Sequence, residues 1–115
     1  MRAKTIVTVL LVAALAILAG CTTKQKEQPK KRIAGIVFQE DQFFRLILFG
    51  MRDAAAKNGA ELLEANSDGK PDKEVQLINT YIANNVDAIV ISPLSAKASM
   101  SALTRAHEKG IVIIT

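Results

Sequence analysis

From Ile33 onward the chain alternates short apolar runs with amphipathic segments, and this alternation narrows its possible folds more than any other feature. Ile33-Ala34-Gly35-Ile36-Val37-Phe38 is a continuous apolar run with β-branched content. Such a run marks a strand buried on both faces, and Gly35 inside it calls for close approach of backbone or of a helix. Phe44, Ile47, Leu48, Met51 and Ala55 then recur at helical spacing, and Asn58-Gly59 supplies a stop. Ala60 to Ala65 reads as a second strand. Asn66-Ser67-Asp68-Gly69-Lys70 has turn chemistry, and Pro71-Asp72 opens a second helix. Its inward stripe is expected at Val75, Ile78 and Ile82, flanked by Leu77 and Tyr81. Asp87 to Ile91 reads as a third strand closed by Ser92-Pro93. Ala96 to Lys109 reads as a third helix, with Met100, Leu103 and Ala106 facing in and Gly110 as its stop. Ile111 to Ile114 reads as a fourth strand.

The order is βαβαβαβ. Strands alternating with helices of this length predict an α/β fold, a partial doubly wound parallel sheet covered on both faces by right-handed crossovers. Arg32 to Thr115 is 84 residues, enough for a small core only. The chain ends on a bare apolar strand, where a parallel strand normally leads into its next crossover. The expectation is an N-terminal fragment of a longer protein, whose last strand exposes an apolar edge.

The segment before this domain is of a different kind. Arg2 and Lys4 precede a nearly unbroken apolar run of 14 residues, Ile6 to Ala19. That length suits the core of a signal peptide (about 7–15 residues) and falls short of the roughly 18–20 that span a bilayer. Leu18-Ala19-Gly20-Cys21 ends the run on small residues and the only cysteine. This stretch resembles the lipobox of bacterial lipoproteins. The resemblance implies a signal peptide over 1–20, cleavage before Cys21, and acylation of its sulfur and new amino group. Residues 21–32 then read as the lipidated cysteine and a flexible tether, Lys/Gln-rich and interrupted by Pro29. The implied address is the cell envelope, on the extracytoplasmic side of a membrane.

Charge excludes a nucleic-acid partner. The formal net charge is +4, from 15 bases and 11 acids. Without Arg2 and Lys4 the balance is 13 to 11, and Lys24, Lys26, Lys30, Lys31 and Arg32 all lie in the tether. From Ile33 on there are 8 bases and 10 acids, so no basic face remains. The tether charges either favour anionic lipid headgroups or simply keep the segment solvated. With Cys21 acylated there is no thiol for a disulfide or metal site. His107 is the only histidine, so a multi-histidine metal site is not expected, and no cofactor is implied.

In open α/β sheets, ligands bind beyond the C-terminal ends of the strands. There the first strand delivers Gln39, Glu40, Asp41 and Gln42, then Phe43-Phe44. The second delivers Asn66 to Lys70, the third Ser92-Pro93-Leu94, the fourth only Thr115. The first loop is richest. Sugars present hydroxyl edges and C–H faces, so Asp41 and Gln39 suit the edges and a phenylalanine suits a face. The plainer reading has Asp41 capping the helix and the phenylalanines packing in the core. Both roles are compatible at Asp41.

These residues carry a family resemblance. Ile33-Ala34-Gly35-Ile36-Val37, Asp41-Gln42-Phe43-Phe44, Gly50-Met51-Arg52-Asp53-Ala54-Ala55 and Val86-Asp87-Ala88-Ile89-Val90-Ile91-Ser92-Pro93 follow one another in order. Ala106-His107-Glu108-Lys109-Gly110 and the closing strand follow. Together they resemble the start of the N-terminal lobe of ribose/galactose-type periplasmic binding proteins, a type 1 periplasmic binding fold shared with effector domains of lactose-repressor-type regulators. The resemblance implies residues 33–115 to be the incomplete N-terminal lobe of a substrate-binding domain. It implies an extracytoplasmic solute-binding lipoprotein of an ABC importer, monomeric, that takes a monosaccharide or related polyol in an interlobe cleft and delivers it to a membrane permease. It places Asp41, Phe43, Phe44 and Ser92 at the sugar, with Gln39 as a further contact. Family members often carry Asn-Pro where this chain has Asp41-Gln42; Asp is an acceptor only. The ligand-binding acid that follows the fourth strand in the family lies beyond Thr115, and one lobe alone is not expected to bind.

Two other classes share features with this reading. A sensor would present bound sugar to a membrane receptor or kinase with the same fold and cleft. A non-transport α/β enzyme domain fares worse. Glu40-Asp41 resembles the acidic pair of a phosphorylation receiver, but Ser92 stands where its third-strand aspartate is required. There is no Gly-x-Gly-x-x-Gly, and Ser67-Asp68-Gly69-Lys70 lacks the upstream glycine of a phosphate loop. Lys70 occupies a ligand position of the apparent calcium-loop spacing from Asn66. His107 on the last helical turn fits the helix dipole better than a catalytic role.

Overall fold

The computed structural model describes residues 28–115. The leader, Cys21 and the first part of the tether lie outside the described residues.

Four strands and three helices alternate along the chain. They are β1 (Arg32–Val37), α1 (Gln42–Lys57), β2 (Glu61–Asn66), α2 (Pro71–Ala83), β3 (Ala88–Ile91), α3 (Ala98–Glu108) and β4 (Val112–Ile114). All pairings are parallel, in the order β2-β1-β3-β4. Each expected element is present, with ends shifted by a residue or two. β1 begins at Arg32, which donates its backbone N–H to Asp87. The end of the expected tether is therefore already pinned to the sheet.

Crossover direction decides which face each helix covers. β1 to β2 steps one way along the sheet, whereas β2 to β3 and β3 to β4 step the other way. Connections of one hand must then put α1 on one face and α2 and α3 on the opposite face. The packing agrees. Ala34, Ile36, Ile89 and Ile91 join Ile78 and Tyr81 of α2 and Ala102, Leu103 and Ala106 of α3 in the main core. Gly35 points the other way, toward α1: a Cβ there would lie 2.9 Å from Met51 Sδ and 3.3 Å from Leu62 Cδ1. The close helix approach expected at Gly35 is present.

That second face is only half covered. β4 turns Val112 and Ile114 outward on it, 57% and 51% exposed, while Ile113 packs against the core. Helices lie on both faces, as expected, and on the second face α1 covers β1 and β2 and leaves β4 bare.

Turn chemistry follows the sequence closely. Asp41 caps α1, Pro71 opens α2, and Gly59 and Gly110 adopt φ of +66° and +84° just past α1 and α3. In the β2–α2 turn, Asp68 donates its N–H to Asn66 Oδ1 at 2.8 Å, and Gly69 donates to the Phe38 carbonyl.

Two helix stripes differ from expectation. The buried residues of α2 are Glu74, Ile78 and Tyr81, with Val75, Leu77 and Ile82 only partly covered. In α3, Ser99, Ala102, Leu103 and Ala106 are buried, and Met100 is 46% exposed. In both helices a polar side chain takes an inward position. The reason is a hydrogen bond between those two side chains, Ser99 Oγ to Glu74 Oε1.

Candidate functional site

The strand order reverses between β1 and β3. The connection leaving β1 crosses one face and that leaving β3 crosses the other, so their loops diverge at the C-terminal ends of the two strands, the place where open α/β sheets take ligands. Gln39 to Phe44 follow the end of β1 and Ser92 to Leu94 the end of β3, side by side because Ile36 is in register with Ile91.

The β1–α1 loop is internally braced. Asp41 Oδ1 accepts the Phe44 N–H at 2.9 Å, the N-cap bond that satisfies an otherwise unpaired helix donor. Asp41 Oδ2 accepts from Gln39 Nε2 at 2.5 Å. Both carboxylate oxygens are thus oriented, and each keeps acceptor capacity for a further donor. No acid or base precedes Arg45 within α1, and the Asp41 carboxylate caps its N-terminus.

The two adjacent phenylalanines have different environments. Phe44 is 7% exposed, with its ring 4.3 Å from that of Phe38 in an edge-on arrangement. Phe43 is 64% exposed and meets Phe44 edge-on at 5.2 Å. Phe44 is therefore a wedge that holds its neighbours, while Phe43 presents a ring to solvent. Ser92 is exposed at the end of β3, ahead of Pro93.

Gln39 also borders a cavity of about 220 Å3 shared with Glu40, Arg45, Glu64 and Asn66. Asn66 was expected at this end of the second strand; Arg45 did not stand out in the sequence, because its proximity to Glu64 and Asn66 comes from β2 pairing alongside β1 and not from spacing along the chain. A larger concavity than this, about 550 Å3, lies at the opposite end of the sheet among Lys31, Asn85, Asp87, Ala88 and Lys109. It contains none of the expected site residues, and ligands of open α/β sheets bind at the other end, beyond the C-termini of the strands. Asp87 there pairs with Lys31 at 2.6 Å and accepts the Arg32 N–H at 2.8 Å. The Lys31 hydrogen bond, then the Arg32 N–H, hold its carboxyl below the usual carboxylate range. Lys73 likewise lowers Asp68, and Glu64 raises Arg52 through a two-pronged pair. Among the described residues no cluster of three metal-ligating side chains forms, and no helix is long and apolar enough to cross a membrane.

A parallel α/β lobe with polar and aromatic residues on the loops at its switch point is the arrangement in which open α/β sheets take ligands. The profile of the periplasmic binding protein domain matches residues 36–115, and the chain belongs to that family. It is 31% identical over 103 residues to the ABC transporter periplasmic-binding protein YphF of Escherichia coli, covering 87% of this chain and 32% of that one. Among solved structures, the 5-methylthioribose transporter solute-binding protein of Thermotoga lettingae, in complex with 5-methylthioribose, is 33% identical with a TM-score of 0.69, covering 74% of this chain and 28% of that one. An Agrobacterium vitis ABC transporter solute-binding protein bound to α-D-tagatopyranose is 31% identical with a TM-score of 0.67, covering 73% and 29%. An Actinobacillus succinogenes counterpart with bound D-allose is 25% identical with a TM-score of 0.69, covering 73% and 30%. These relatives are solute-binding proteins, not enzymes. The chain spans about a third of the length of the relatives it matches.

Proposed function

We propose that this chain forms the first lobe of a lipid-anchored, extracytoplasmic solute-binding protein that captures a monosaccharide or related polyol for an ABC permease. The observation that carries the reading is the β1–α1 loop. Its carboxylate is held from both oxygens with acceptor capacity to spare, beside an exposed aromatic ring at the switch point. Sugar hydroxyls donate to Asp41, and the C–H face of the ring lies on Phe43. Phe44 acts through packing, by holding Phe43 and Phe38 in place. Ser92 and Gln39 contribute hydrogen bonds from the two sides of the crevice. The bound solutes of the tagatopyranose, allose and methylthioribose relatives are of the same chemical class.

One lobe covers one side of a sugar. Pockets that bind small ligands tightly bury most of the ligand surface, so capture requires a second lobe closing over the crevice. Residues 1–20 serve as the leader, Cys21 as the lipidated anchor, and the following residues as the tether that keeps the lobe near its permease. The test is calorimetric titration of pentoses, hexoses and polyols into the protein encoded by the reading frame continued past Thr115. Asp41→Ala and Phe43→Ala should each weaken binding at least tenfold; unchanged affinity in both variants refutes the site.

A further inference from the structure

Glu74 is the one buried acidic side chain among the described residues, fully inaccessible in the apolar stripe of α2 between the β2–α2 turn and Ile78. A carboxyl group in that position is costly unless its hydrogen bonds compensate. Its Oε1 accepts the Leu94 N–H at 3.0 Å and the Ser99 hydroxyl at 2.5 Å, while Oε2 is buried without a partner. Ser99 Oγ in turn accepts the Ser95 N–H at 3.1 Å, and Ser95 Oγ accepts the Ala98 N–H at 3.1 Å. The chain of bonds runs from α2 through one oxygen into the loop between β3 and α3, and it ends at the first turn of α3.

That loop carries Ser92. Ile91 is fixed by the sheet and Leu94 by Glu74, and Pro93 between them has a locked φ. The two residues that join these fixed points are Ser92 and Pro93, so the direction of the Ser92 side chain follows from where Glu74 holds Leu94. An apolar residue would fill the α2 stripe without leaving an oxygen unpaired. What glutamate adds is the conformation of the loop.

We propose that Glu74 is a positioning residue for the sugar crevice: it latches the β3–α3 loop so that Ser92 is presented to the ligand. This rests on the sugar-binding reading above, and the test separates the two. The first arm uses the chain as given and reads amide hydrogen exchange at Leu94 and Ser95 in Glu74→Leu and Glu74→Gln. The second uses the protein continued past Thr115 and reads sugar affinity by calorimetry for both variants, for Ser92→Ala and for Glu74→Leu/Ser92→Ala.

Glu74→Leu should speed exchange at both amides at least tenfold, and by more than at the core amides of β1, and weaken sugar binding at least fivefold. Because it leaves the Leu94 N–H and the buried Ser99 hydroxyl without their acceptor, global stability is read alongside by urea unfolding so that a local loss is told from a global one. Glu74→Gln keeps an acceptor oxygen and should stay within about threefold of wild type in both readouts. The double variant should bind no more than about twofold worse than Ser92→Ala alone, since Glu74 acts through Ser92. Unchanged exchange in Glu74→Leu overturns the latch. Losses that multiply in the double variant overturn its action through Ser92. If even the wild-type protein binds none of the sugars, the functional reading fails while the exchange arm still decides the latch.

Discussion

Phe43 and Phe44 are adjacent in sequence, yet their substitution should have opposite consequences for stability and for binding. A phenylalanine buries about 200 Å2, and apolar burial is worth about 25 cal/mol per Å2. Phe44, at 7% exposure, has nearly all of that area covered. Phe44→Ala should cost about 3–4 kcal/mol, within the range for buried aromatic truncations. The Phe38 and Phe43 rings lose their edge-on partner in the same step. Phe43, at 64% exposure, has only about a third covered, which sets an upper bound of about 1.8 kcal/mol. Urea unfolding of the chain from Gln28 onward, followed by circular dichroism, reads the difference. With a slope of about 1.5 kcal/mol per M, the midpoint should fall by about 2–2.7 M for Phe44→Ala and by less than about 1.2 M for Phe43→Ala. In sugar titrations the order should reverse: Phe43→Ala loses the stacking face, whereas Phe44→Leu, which keeps most of the wedge, stays close to wild type. Equal stability losses for the two alanine variants would refute the assignment of wedge and platform.

Gly35→Val should cost about 2–3 kcal/mol, because the added carbons enter the space of Met51 and Leu62; combined with Met51→Ala the loss should be less than additive, as urea midpoints would show. Asp87→Asn should lower stability at pH 7, and the deficit should close as pH falls below about 4. The sign follows from the lowered Asp87 pKa: its stabilisation is present above the unfolded-state pKa and is lost as pH falls through the folded value. A deficit that stays constant from pH 7 to pH 2 contradicts that account. Cys21→Ser in the full chain should abolish incorporation of labelled fatty acid and leave an uncleaved precursor on a gel; continued labelling removes the anchor from the scheme.

The element order, the parallel sheet and the turn residues were legible because they depend on local pattern. Apolar runs, Asn58-Gly59, Pro71 and Gly110 each act within a few residues of where they stand. Gly35 was legible too, since a glycine in a buried strand implies a close neighbour even when the neighbour is unknown. The rotation of the α2 stripe was not. A charged residue such as Glu74 reads as solvent-facing until a donor at Leu94, 20 positions away, is brought to it by the fold. Ser99 and Met100 exchanged roles in α3 for the same reason. At the site, the loop from Gln39 to Phe44 could be singled out, but which phenylalanine faces solvent depends on the cap at Asp41 and on Phe38, neither of which has a periodic signature.

The most direct test is a crystal structure of the protein continued past Thr115, grown with the tightest-binding sugar found by calorimetry. The ring should lie over Phe43 at the C-terminal ends of β1 and β3, with hydroxyl groups within hydrogen-bond distance of Asp41 and Ser92. A sugar bound at the opposite end of the sheet, beside Lys31 and Asp87, or one that leaves Asp41 and Phe43 untouched, would contradict the account.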